Sequence, residues 1–273
     1  MPTPFTHLAT VPELFAHPAL APDLAAALTA KLPAFLLGTI APDVQTISGQ
    51  TREATHFFPV PLDPGPPAVL RLLAAHPALA QPTALPAPQA AFLAGYWAHL
   101  IFDELWIARV FTPYFGPDAA WGADFRERLY LHNILRAAWD AADLARLTPL
   151  AGLTLAAAAP RGWLPFVEDQ HLAAWRDWVA DQLRPGAASR TVEVFTQRMR
   201  VDPAAFAALL ADPAALERRL YAFVPPAVLA AYRAAAVTAS VRAITLYAAG
   251  QIEALELLET HTPAGKAGAI TKP

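Results

Sequence analysis

Apolar and polar positions along this chain recur with helical spacing, and β-branched alternation is scarce. The pattern predicts helices over 11–31, 33–41, 66–80, 87–112, 119–146, 164–184, 189–200, 203–223 and 226–259. Asp202-Pro203 and Asp212-Pro213 each put an N-cap Asp before a Pro at the first helical position. Two long connections remain, Val44–Pro67 and Thr112–Asp118. A structureless connection as long as the first is usually functional. The fold class expected is all-α, one multi-helix domain over residues 1–261, with a Gly/Lys/Pro-flavoured tail over 262–273 expected to be disordered.

Composition sharpens this picture. Of 273 residues, 55% are hydrophobic and 16% charged, well under the usual quarter, so disorder is excluded and much of the chain is expected to be buried. A mean hydropathy of +0.32 raises the question of a membrane span. Leu72 to Phe102 lacks Asp, Glu, Lys and Arg, but Pro77, Pro82, Pro86 and Pro88 cut the run. What is left, Gln89–Phe102, falls short of the ~20 residues a span needs. No transmembrane segment is expected. Met1–His7 shows no signal-peptide pattern, so a cytoplasmic location is expected. Lys+Arg of 20 against Asp+Glu of 23 gives a net charge of −3, and no stable nucleic-acid partner is expected. Cys is 0, so any metal must be held by His, Asp, Glu or backbone.

The segment 87–112 is apolar around nearly its whole circumference, which marks a buried central helix. His99 and Asp103 do not belong in such a core. Their i, i+4 spacing puts them on one face, one turn apart. Gly95 lies one turn earlier and leaves room beside them. Glu104 projects about 140° from His99 and reads as a wall or surface residue. A buried carboxylate needs a partner. Asp103 either pairs with His99 to tie two helices together, or both ligate a metal. Asp43, after Ala41-Pro42, reads as a turn residue or a ligand; His56, between Thr55 and Phe57, as a packed loop anchor or a ligand. His7 reads as an exposed terminal His or a ligand. Arg52 beside His56 pairs with a phosphate oxygen or with Glu53 or Asp43. The aromatics Tyr96, Trp97, Trp106, Phe57, Phe58 and Trp121 line either the core or a cleft.

In combination, FTHL at 5–8, GTIAPD at 38–43, THF at 55–57 and GYWAHLIFDELW at 95–106 give the chain a specific likeness. It resembles the zinc-dependent phospholipase C family, whose larger relatives include the S1/P1-type nucleases. The likeness ends at Trp106. It implies an all-helical fold with zinc ions at the bottom of a cleft. By position, Asp43, His56, His99 and Asp103 would surround one Zn2+. Asp103 would bridge to a second, held by His7 and by the chain's own terminal amine and carbonyl. Asp43 would orient or deprotonate the attacking water. The family's further site uses a His and then HxxxE; here His132 is followed at i+4 by Arg136, and Glu168 and His171 offer only an i, i+3 pair. One or two ions are therefore expected.

A divalent ion in such a shell lowers the pKa of bound water towards 7. The function expected is a zinc-dependent phosphoesterase, with Asp43 and Arg52 as catalytic candidates and His7, Asp43, His56, His99 and Asp103 as metal ligands. The substrate expected is a small phosphoester or a phospholipid headgroup, with the half after about residue 119 forming one wall of the cleft. The alternative is a non-catalytic helical protein with a structural metal site or a buried His/Asp network. No HExxH, GxxxxGK[ST], GxGxxG or GxSxG motif is present.

Overall fold

A computed structural model describes residues 1–121 and 124–257. The described residues are helical, with no strand among them. The tail expected at 262–273 lies outside them.

The first expected helix is two. Helix α1 (Pro4–Phe15) and α2 (Pro22–Thr29) meet at a break holding Pro18. Pro22 starts α2 at its first position, where its missing N–H costs nothing. Because α1 starts at Pro4 rather than residue 11, His7 lies on a helix and is buried, not on an exposed terminus. Helix α3 (Leu32–Ile40) follows, apolar and buried from Ala34 onward. The Val44–Pro67 connection is not structureless. A 3-10 turn at Ala41–Val44, α4 (Gln45–Ser48) and α5 (Glu53–His56) occupy its first part, and α6 (Ala68–Ala75) follows it.

Helix α7 (Ala87–Trp106) is the central element, buried continuously from Ala91 to Trp106. It continues in wide i→i+5 turns through Phe115, beyond the expected end at residue 112. Gly95 does not open room for a ligand. A Cβ there would meet the Phe35 carbonyl oxygen at 2.2 Å, and one on Gly38 would meet the Phe92 carbonyl oxygen at 1.9 Å. The two glycines let α3 and α7 cross with their backbones in contact. Nor is Glu104 a surface residue: it is buried and accepts the Ala68 N–H at 2.8 Å, capping α6.

The second half packs around this pair. It comprises α8 (Phe125–Leu144), α9 (Pro149–Ala156), α10 (Asp169–Asp181), α11 (Thr191–Met199), α12 (Pro203–Leu210), α13 (Pro213–Leu216) and α14 (Pro226–Ala248). Helix α9 falls where a loop is expected. Asp202 and Asp212 cap α12 and α13 as their sequence predicts. By length and composition alone, α14 is apolar enough to cross a membrane, contrary to the reading that no window qualifies. The bent pair Pro22–Thr29 and Leu32–Ser48 passes only if counted together across its 86° bend. In the fold α14 lies against α7: Trp97 and Tyr247 bring their rings to 4.1 Å, and Tyr232 donates to the Phe102 carbonyl at 2.9 Å. Its Arg233 pairs with Asp143 at 2.9 Å and with Glu13 at 2.9 Å.

Candidate metal centre

Four elements bring their polar groups to one point. Helix α1 supplies His7, the turn after α3 supplies Asp43, α5 supplies His56, and α7 supplies His99 and Asp103. His56 and His99 are fully buried, Asp103 and His7 nearly so, and the Asp43 side chain is 18% exposed. All five residues singled out from the sequence come together here.

The orientation of each ring follows from its backbone surroundings. The close crossing of α3 and α7 puts the Thr39 carbonyl 2.8 Å from His99 Nδ1, which donates to it. His56 Nδ1 faces the Arg52 carbonyl at 3.2 Å, and the Thr55 hydroxyl also donates to that carbonyl, at 3.1 Å. The His56 Nδ1 is therefore a donor too. Tyr96 donates to the Thr55 carbonyl and ties the His56 turn to α7. Phe57 ends that turn with φ of 60°, a left-handed conformation that a non-glycine residue rarely takes. Both Nδ1 protons are thus spoken for, and both Nε2 atoms point inward with bare lone pairs.

Those two Nε2 atoms lie 3.4 Å apart. Asp103 Oδ2 sits 3.3 Å from the His56 Nε2 and 3.5 Å from the His99 Nε2. Asp43 Oδ1 is 3.7 Å from the His56 Nε2. On the other side His7 stacks on His99, ring centroids 3.9 Å apart, with its Nε2 3.6 Å from Asp103 Oδ1. His7 Nε2 and Asp103 Oδ1 are buried without a hydrogen-bond partner. Two ligand groups follow, Asp43–His56–His99 and His7–His99–Asp103. They share His99. Facing lone pairs and an orphaned carboxylate oxygen suit a cation, so the donor set fits one or two divalent ions.

The electrostatics agree. Burial lowers His7 to about 4, with His99 adding to the effect. Burial also lowers His56. For His99 burial pulls down, but the Asp103 carboxylate outweighs it and the net shift is upward. Burial pushes Asp103 up, and the neighbouring His99, His56 and His7 overcome this, holding it well below its usual value. The upward shift of His99 and the downward shift of Asp103 show that the centre favours positive charge beside Asp103. The terminal amine of Met1 is buried near Asp103 and Asp43, and burial lowers it well below its usual value.

Arg52 stands against the cluster rather than in a loop pair. Its Nη2 is 3.4 Å from Asp103 Oδ2, its Nη1 donates to the Phe58 carbonyl at 3.1 Å, and its guanidinium lies 4.3 Å from the Phe58 ring centroid. His132 is a core acceptor, taking the Trp106 Nε1 proton at 2.9 Å. Glu168 is exposed at the start of α10, and neither it nor His171 joins a ligand group among the described residues. Tyr96, Trp97, Trp106 and Phe58 are core. The cleft beside Asp43 is instead walled by Trp175, Trp178 and Phe195, with Arg136 and Arg198, all from the second half. These residues carry no motif and sit far from the cluster in sequence; only the placing of α8, α10 and α11 reveals them.

No protein-family model matches this chain, and no curated protein or solved structure matches it either.

Proposed function

We propose that this protein is a metal-dependent phosphoesterase resembling phospholipase C, with zinc as the leading candidate ion and one or two ions per chain. The single observation that carries the reading is the pair of bare Nε2 atoms of His56 and His99, 3.4 Å apart beside Asp103. His56, His99, Asp103 and Asp43 would hold one ion; His7, His99 and Asp103 offer donors for a second. When bound, the ion supplies Lewis-acid stabilisation and a water activated near neutral pH.

The remaining chemistry belongs to the chain. Asp43 is the one ligand with a side chain open to the cleft, so it can orient the attacking water and take its proton. Arg52 offsets the charge of Asp103 from within hydrogen-bonding reach, and its other donors hold the His56 turn. The buried rings of His56 and His99 exclude water on the side away from the cleft. A small phosphoester or a phospholipid headgroup would approach through the opening next to Asp43.

A second reading has support in the burial of His7, His56, His99 and Asp103. A closed structural centre would bury its ligands in this way. Turnover of chromogenic phosphomonoesters and phosphodiesters by zinc-loaded protein separates the two. The esterase reading expects zinc-dependent turnover that Asp43→Asn lowers by about 100-fold or more. Full metal occupancy without turnover of any phosphoester would overturn it in favour of the structural centre.

A further inference from the structure

The cleft beside Asp43 is a cavity of about 60 Å³, room for a few waters or one small anion. Two arginines face it. Arg136, on α8, lies partly buried at one side; its Nε donates to the Met1 carbonyl and its Nη1 to Asn133 Oδ1 at 2.8 Å. Its guanidinium lies 4.4 Å from the Phe195 ring centroid, which fixes the plane of the fork. Arg198, on α11, is exposed at the rim, and its Nη2 donates to Thr46 Oγ1 at 3.3 Å. Among the described residues neither arginine forms an ion pair with a carboxylate, whereas Arg52, Arg71, Arg146 and Arg233 do.

Two guanidinium groups across a small cavity repel each other. An oxyanion between the two would relieve that repulsion and meet donors on both sides. The cavity also touches Asp43, so an anion held there would sit next to the candidate metal centre.

We propose that Arg136 and Arg198 form a phosphate pocket that takes the terminal, dianionic phosphate of a small phosphomonoester. This rests on the phosphoesterase reading and narrows its substrate. Two positive charges match a dianion better than the single charge of a diester. The cleft lined by Trp175, Trp178 and Phe195 has room for one phosphoryl group between the two arginines.

The test is calorimetric binding of inorganic phosphate to the full chain, zinc-loaded and after chelation, with methyl phosphate and dimethyl phosphate as competitors. Phosphate is expected to bind both forms. Arg198→Ala, a rim substitution, is expected to weaken it about tenfold or more without changing metal content. Arg136→Lys, which keeps the charge and loses the fork, is expected to weaken it as well. Methyl phosphate should compete about tenfold better than dimethyl phosphate. Unchanged affinity in Arg198→Ala, equal competition by the two esters, or phosphate binding that vanishes on chelation would each overturn the pocket. Phosphate binding that survives chelation in a protein without esterase activity would sustain the pocket and overturn the esterase reading alone.

Discussion

His99 and His56 present their Nε2 atoms to each other at 3.4 Å while each Nδ1 is committed to a backbone carbonyl. Only a proton or a cation between them makes that arrangement favourable. Burial pulls the His99 pKa down, but the Asp103 carboxylate outweighs it and the net shift is upward from the ordinary 6.5, so His99 keeps its proton to a higher pH than a free imidazole. A metal must displace it. Zinc binding is therefore expected to release protons near pH 6.5, and zinc affinity to fall as pH drops. Calorimetry in buffers of different ionisation enthalpy measures the release. Binding with no proton release between pH 6 and 7 would contradict a ligand role for His99.

The crossing of α3 and α7 carries a stability prediction. Gly38→Ala and Gly95→Ala each push a methyl group into a carbonyl oxygen of the facing helix. Backbone cannot step aside as a side chain can, so each is expected to cost about 1–3 kcal/mol or more. Thermal unfolding should shift down by several degrees. Gly95→Ala should also weaken metal binding, because separating the helices withdraws the Thr39 carbonyl from His99. An unchanged melting temperature would show that the helices tolerate separation.

Glu104 caps α6 through the Ala68 N–H. Glu104→Ala is expected to lose about 1 kcal/mol or more, and Glu104→Gln less, since the amide oxygen still accepts. Denaturant melts of the two variants check the order. Equal loss in both would point to charge rather than capping.

Asp140 gives a pH prediction of the opposite sign to a surface carboxylate. It accepts from the Thr3 and Thr191 hydroxyls, tying the N-terminal segment to α11, and burial raises it to about 6. The folded chain thus holds its proton more tightly than the unfolded chain. The stabilising contribution is full below pH 3.8 and is lost as pH rises through about 6. Asp140→Asn should therefore gain on wild type with rising pH between those limits, by up to about 3 kcal/mol. Stability curves measured from pH 4 to 7.5 test this. Parallel curves would contradict a raised Asp140.

Much of the candidate site is legible in the sequence because it breaks a local rule. His99 and Asp103 stand out on a helix that is otherwise apolar all round, and i, i+4 spacing fixes their common face. Asp43 and His56 gain meaning only in company with them. The all-α class is legible from periodicity alone. Other features depend on which element packs against which. Gly95 and Glu104 sit on a helix whose faces can be counted but whose neighbours cannot, so one is misread as space and the other as surface. The break at Pro18 hides because Ala-rich flanks keep the helical pattern running through it, and α9 because its eight residues are nearly uniform in polarity. Arg136 and Arg198 belong to no motif, and only the packing of α8 and α11 brings them to the cleft beside Asp43.

Metal content per chain decides whether the cluster is a metal centre, measured on protein purified without added metal and then titrated with zinc. Wild type and the His99→Ala/Asp103→Ala double variant are compared. One or two ions in the wild type, none in the variant, and a wild-type melting temperature that falls on chelation are expected. A wild type that takes up no zinc and stays equally stable with chelator would rule out a metal centre and leave His56, His99 and Asp103 as a buried hydrogen-bonded network.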